Sequence, residues 1–170
     1  SMSYHFYSVW AILMSALAFR HDARTEIASD PAVTKSLLAP ILCAYPDGTL
    51  PATNDCWYFT SVLGPCCHGV PPAPAFYELA FALFQTPVFA ATLRQAYRAV
   101  PRDSVFAFLL GAEALPEEAP PLRVSVNLPA SGLALLRPSE DVDLLVKYGP
   151  HGGHHGHPDK LSLTGWAYGW

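Results

Sequence analysis

Positive charge is scarce. Ten Lys and Arg stand against fourteen Asp and Glu in 170 residues, a formal net charge of −4, and no basic stripe gathers anywhere along the chain. Counterion release at phosphates needs such a stripe, so a nucleic-acid partner is not expected. A polyanionic substrate stays possible, because neutralising donors are a local matter. Long apolar runs are missing too. The longest candidate, Val9 to Phe19, is too short to span a bilayer and has no basic segment before it, so neither a membrane span nor a signal peptide is expected. Paired CxxC spacing is absent. Cys43, Cys56, Cys66 and Cys67 read as small buried thiols, with a Cys56/Cys66/Cys67/His68 metal site as the alternative. Disorder is excluded by an apolar content of 51%, enough for a real core.

What is present falls into two halves. Up to about residue 114 the apolar period is helical. Ser3 is positioned to cap a helix from about Tyr4 to Arg20, apolar nearly all round and so expected between neighbours. Asp30-Pro31 opens a second helix to about Ala44, kinked at Pro40. Tyr45 to Pro51 is turn chemistry, and the stretch from Asn54 to Pro74 is a long irregular loop. Further helices are expected over 75–84, over 88–100 after the Thr86-Pro87 signal, and over 103–113. Residues 115–121 form a proline-rich linker. Beyond it the period changes to two, and 122–170 reads as antiparallel strands. Helices first and strands afterwards predict an α+β chain with separate domains, not βαβ units. The chain opens directly on a helix pattern and closes inside a strand pattern, so a piece of a longer protein is expected.

Three clusters carry reactive groups. His151, His154, His155 and His157 crowd one loop with Gly152, Gly153 and Gly156, which let backbone approach a ligand. In extended backbone His155 and His157 project to one side and His154 to the other. Two imidazoles together suit a metal, or metal binding beside acid–base work. The second cluster is Ser3 to Tyr7. Tyr4 and Tyr7 share a helix face, and Tyr4 lies where the helix dipole favours a phenolate; a core aromatic stripe with a satisfied histidine is the structural alternative. The third is Pro46 to Asp55, which reads as a turn-rich loop, with Asn54 or Asp55 lining a cleft as the alternative.

The segments "GPHGGHHGHPDKLSL", "SMSYHFY", "PDGTLPATND" and "SGLALLRPSEDVDLLVKYG" resemble, in order along the chain, those of the heparinase II/III-like polysaccharide lyases, which include oligo-alginate lyases. Residues 56–74 match nothing in that family. The resemblance implies the C-terminal part of an incomplete α/α toroid followed by the start of an antiparallel β-sandwich, with the active site in the cleft between them. It implies β-elimination of uronic-acid polysaccharides, alginate or heparin/heparan type, to a 4,5-unsaturated uronate. Tyr4 matches the catalytic tyrosine, as base, acid or both, and His155 the catalytic histidine. His157 matches a ligand of a structural zinc that pins the loop. His5, Tyr7, His151 and His154 are the candidate substrate-binding residues. The family's carboxylate-neutralising Asn/His segment and the remaining zinc ligands, an Asp and a His, would fall before residue 1 and after Trp170, so the 170 residues alone are expected to be inactive. The partner implied is an acidic polysaccharide or oligosaccharide, and a periplasmic or secreted location is favoured over a cytoplasmic one. Two other readings remain: a non-catalytic carbohydrate-binding protein on the same scaffold, and a metal-binding module built on the histidine loop.

Overall fold

The computed structural model describes residues 1–21, 27, 30–117, 122–149 and 161–169. The helices are α1 (Met2–Ala18), α2 (Pro31–Cys43), α3 (Ala73–Phe84), α4 (Pro87–Ala96) and α5 (Val105–Leu110). They precede strands β1 (Val126–Leu128), β2 (Leu133–Ser139), β3 (Val142–Lys147) and β4 (Ser162–Ala167), which form one antiparallel sheet in sequential order. The α+β order read from the change of period is therefore present. No helix among the described residues is long and apolar enough to cross a membrane.

The local rules hold where a side chain can act alone. Asp30 caps α2, its carboxylate accepting from Ala32 N at 2.8 Å, with Pro31 behind it. Ser104 caps α5, its hydroxyl accepting from Ala107 N at 3.1 Å. Thr86 precedes α4 but makes no capping bond. Ser3 is not a cap. It lies inside α1, fully buried, because its hydroxyl is wanted elsewhere: it bonds Thr60 Oγ1 at 2.8 Å and accepts from Trp57 N at 3.2 Å. Nor is α1 buried all round. Phe6, Val9, Leu13 and Ala16 face the core, while Tyr4, Tyr7 and Met14 stay exposed on the other side.

The helical core gathers Phe6, Leu13, Leu37, Phe76, Tyr77, Leu79, Phe89 and Leu93. One charged group lies within it. Glu78 has no exposed surface, and its carboxylate takes Arg102 Nε at 2.6 Å, Arg102 NH2 at 3.1 Å and the Tyr97 hydroxyl at 2.8 Å. A buried carboxylate is tolerable only when its lone pairs are filled in this way.

The sheet packs on the helices through the inward face of β3: Asp143, Leu145 and Lys147. Leu145 joins Leu133, Leu135 and Tyr45 in a small second core. Asp143 pairs with Arg123 at 2.9 Å and Arg137 at 3.3 Å. Arg137 also reaches across to the end of α2, donating from NH2 to the carbonyls of Leu42 and Ala44 at 2.8 Å each. A helix C-terminus leaves carbonyls without intrahelical donors and carries partial negative charge, so a guanidinium is suited to it. Lys147 closes the interface at its other end by donating to Asn54 Oδ1.

Arg137→Met should therefore cost about 3–5 kcal/mol, the usual range when one partner of a buried pair is removed. Urea unfolding reads this, and a loss below about 1 kcal/mol would show that the clamp is dispensable.

Candidate active site

Tyr4 sits at the start of α1, where Ser3 fixes the helix against the loop of residues 54–60. The exposed phenol donates to Asp55 Oδ2 at 3.2 Å. Ser1 adds a second tie to the same residue, its hydroxyl donating to the Asp55 carbonyl at 2.9 Å. Asn54, with a left-handed φ of 55°, turns the loop so that neighbouring side chains serve two structures: Asp55 meets Tyr4 from the helices, and Asn54 meets Lys147 from the sheet. Asn tolerates this conformation better than most residues.

The Asp55 carboxylate holds the Tyr4 phenol above its ordinary value. The helix dipole would act the other way. It is screened at an exposed position, and the full charge at hydrogen-bond distance wins. Tyr4 is a neutral phenol at physiological pH, as an ordinary tyrosine is, and the neighbouring carboxylate makes it hold its proton more tightly. Tyr7 stacks beside it, with centroids 6.4 Å apart and planes at 24°. The Tyr7 hydroxyl rests over Gly69, whose φ is 76° and where a Cβ would come within 2.5 Å of that oxygen. His5 is half-buried between helices. Its Nε2 donates to the carbonyl of Ser36 in α2 at 2.7 Å, and burial pushes its pKa down.

His151, His154, His155 and His157 lie outside the described residues, but both ends of their segment are fixed. Lys147 and Ser162 face each other across the β3–β4 ladder. Tyr148 and Gly149 donate from their backbone nitrogens to the Gly132 carbonyl at 2.8 and 3.1 Å, and Tyr148 donates from its hydroxyl to Asn127 at 2.6 Å. Gly132, at φ 62°, and Gly149 cross so closely that a Cβ on either would enter the other's backbone. The sheet therefore presents the start of the histidine segment beside Lys147, which contacts the residue next to Asp55.

Two features lie apart from this constellation. A cavity of about 560 Å³ opens beside α5 between Pro65, Pro72, Pro101 and Phe106, and holds none of the candidate residues. The four cysteines are buried free thiols. Burial pushes Cys66 up to about 12 and Cys43 up to about 11, so both stay protonated. Among the described residues no three His, Cys, Asp or Glu side chains come together as a metal site. Lys147 carries no signal in the sequence, where it looks like the solvent-facing end of a strand. Asp55 reads first as turn chemistry, with a cleft-lining role for it or Asn54 as the alternative.

No protein-family model and no curated protein matches the chain. A solved heparinase III does match in structure, over 98% of this chain with a TM-score of 0.61 and 20% identity. The chain spans 23% of that protein's length. It has, in that stretch, a heparinase-like fold.

Asp55→Asn removes the charge that opposes the phenolate, so it should lower the Tyr4 pKa toward the ordinary value near 10. Ultraviolet titration of tyrosinate, taken as a difference against Tyr4→Phe, measures it. An unmoved or rising value would dissociate the two side chains.

Proposed function

We propose that the chain forms part of a polysaccharide lyase that cleaves uronic-acid polymers by β-elimination, with residues 1–114 as part of an α/α toroid and residues 122–170 as the start of a β-sandwich. The observation that carries this reading is the meeting at residues 54 and 55. The phenol of Tyr4, from the helices, and Lys147, from the strand that enters the histidine segment, are fixed to adjacent residues of one loop. The fold likeness to a heparinase III supports it.

In this reaction the proton at C5, beside the substrate carboxylate, is removed. The C5 electron pair becomes the C4–C5 double bond, the C4–O4 bond breaks, and the leaving oxygen takes a proton. Tyr4, a neutral phenol held by Asp55, is the acid that protonates O4, and His155 is the base at C5. Asp55 orients the phenol through its hydrogen bond. Tyr7, stacked on Tyr4, holds one side of the sugar. Zinc belongs to the proposal through His157, as the pin that steadies the loop carrying His155. The substrate class is alginate or a heparan-type glycosaminoglycan.

The test is the ultraviolet absorbance of the unsaturated product, measured on the natural full-length chain with alginate, heparan sulfate and hyaluronan. Tyr4→Phe should lower kcat by about 10²–10⁴-fold with little change in KM, the range for losing a positioned acid. Full activity in Tyr4→Phe would overturn the assignment, and His155→Ala serves as the second control. Zinc content is read separately by metal analysis of the purified protein: His157→Ala should lose bound zinc and melt earlier, and unchanged zinc would remove His157 from the ligand set.

A further inference from the structure

Residues 56–74 have no counterpart in the lyase segments that the sequence resembles, yet they carry a group of three mutually contacting aromatic rings at the surface. Trp57 and Phe59 lie nearly parallel, centroids 5.4 Å apart and planes at 14°. His68 meets both at steep angles, 67° to Trp57 at 4.5 Å and 68° to Phe59 at 6.1 Å. Phe59 and His68 are exposed, while Trp57 is half-buried and rests on the helical core. Backbone bonds hold the plate in place: Trp57 N donates to buried Ser3, and Thr60 N donates to the Trp57 carbonyl at 3.1 Å. Phe59, exposed and stacked on a half-buried Trp57 whose backbone is anchored, is already partly ordered for a flat ligand, so less side-chain entropy is lost on binding.

The plate is continuous with the candidate site in two directions. Along the loop, Trp57 is two residues from Asp55, a Cα separation of at most about 7.6 Å. Across the surface, Tyr4 stacks on Tyr7, and the Tyr7 hydroxyl rests on Gly69, the residue after His68. A rim thus runs from the reacting phenol through Tyr7 to His68, Trp57 and Phe59. A pyranose matches such a surface. One face of the ring presents C–H groups to the negative face of an aromatic, while its hydroxyls point sideways to water.

We propose that Trp57, Phe59 and His68 form a saccharide subsite that stacks a pyranose ring of the same polymer, next to the sugar held at Tyr4. The proposal rests on the lyase reading for its substrate. It makes the plate a determinant of chain length: a tetrasaccharide reaches it better than a disaccharide.

The experiment compares the natural full-length chain with Phe59→Ala and His68→Ala, both exposed positions where folding is least at risk, on alginate and heparan disaccharides and tetrasaccharides. Binding is read by calorimetry and turnover by ultraviolet absorbance. Phe59→Ala should weaken tetrasaccharide binding and raise its KM about tenfold, as expected for one lost stacking contact, with a smaller loss on the disaccharide. Equal losses on both lengths, or none in either variant, would overturn the subsite. If no unsaturated product forms but tetrasaccharide binding is still weakened by Phe59→Ala, the subsite stands and the lyase reading falls. Absence of binding to every saccharide overturns the subsite.

Discussion

Burying a guanidinium is costly unless its donors are used and its charge is matched. Arg137, 3% exposed, meets both conditions at one point of the molecule. Nε answers the Asp143 carboxylate, NH1 the Val124 carbonyl, and NH2 the last carbonyls of α2. It thereby joins a helix end, the chain entering β1 and the inner face of β3. Arg123 shares Asp143, which leaves that buried acid doubly compensated. The sheet's angle on the helices depends on this clamp, and the placement of Lys147, four residues further along the same inward face, depends on the sheet.

The candidate site is a consequence of that geometry. One end of β3 is fixed by charge at Asp143, its middle by the small core around Leu145, and its exit by Lys147 and Asn54. The same loop turns Asp55 toward Tyr4 from the other side. Two parts of the chain that are far apart in sequence, a helix start and the strand before a histidine-rich segment, are therefore held to adjacent residues.

The order of helices and strands was legible because it depends on periodicity and on local caps such as Asp30-Pro31. The interface was not. In β3, alternation offers two faces, Val142/Leu144/Val146 and Asp143/Leu145/Lys147, and hydrophobicity favours burying the first. The structure buries the second, since Arg137, Arg123 and Asn54 supply partners for its charges. Those partners are remote in sequence and invisible to any window. Ser3 shows the same limit: as a residue it suits a cap, but a hydroxyl needed by Thr60 and Trp57 is placed at the second helical position, after the cap at Ser1, instead. Tyr4 was found by its neighbours in the sequence. Its hydrogen-bond partner, Asp55, lies 51 positions away.

The crossing of Gly132 and Gly149 bears on how the histidine-rich segment is anchored. Backbone touches backbone there, so neither position admits a side chain without moving the point where the chain departs from β3. On the return side, Ser162 is registered opposite Lys147. The intervening segment is thus inserted between two fixed posts. The sheet sets where the histidine-rich segment leaves and where it rejoins, two anchor points decided by backbone geometry before any of its side chains is considered.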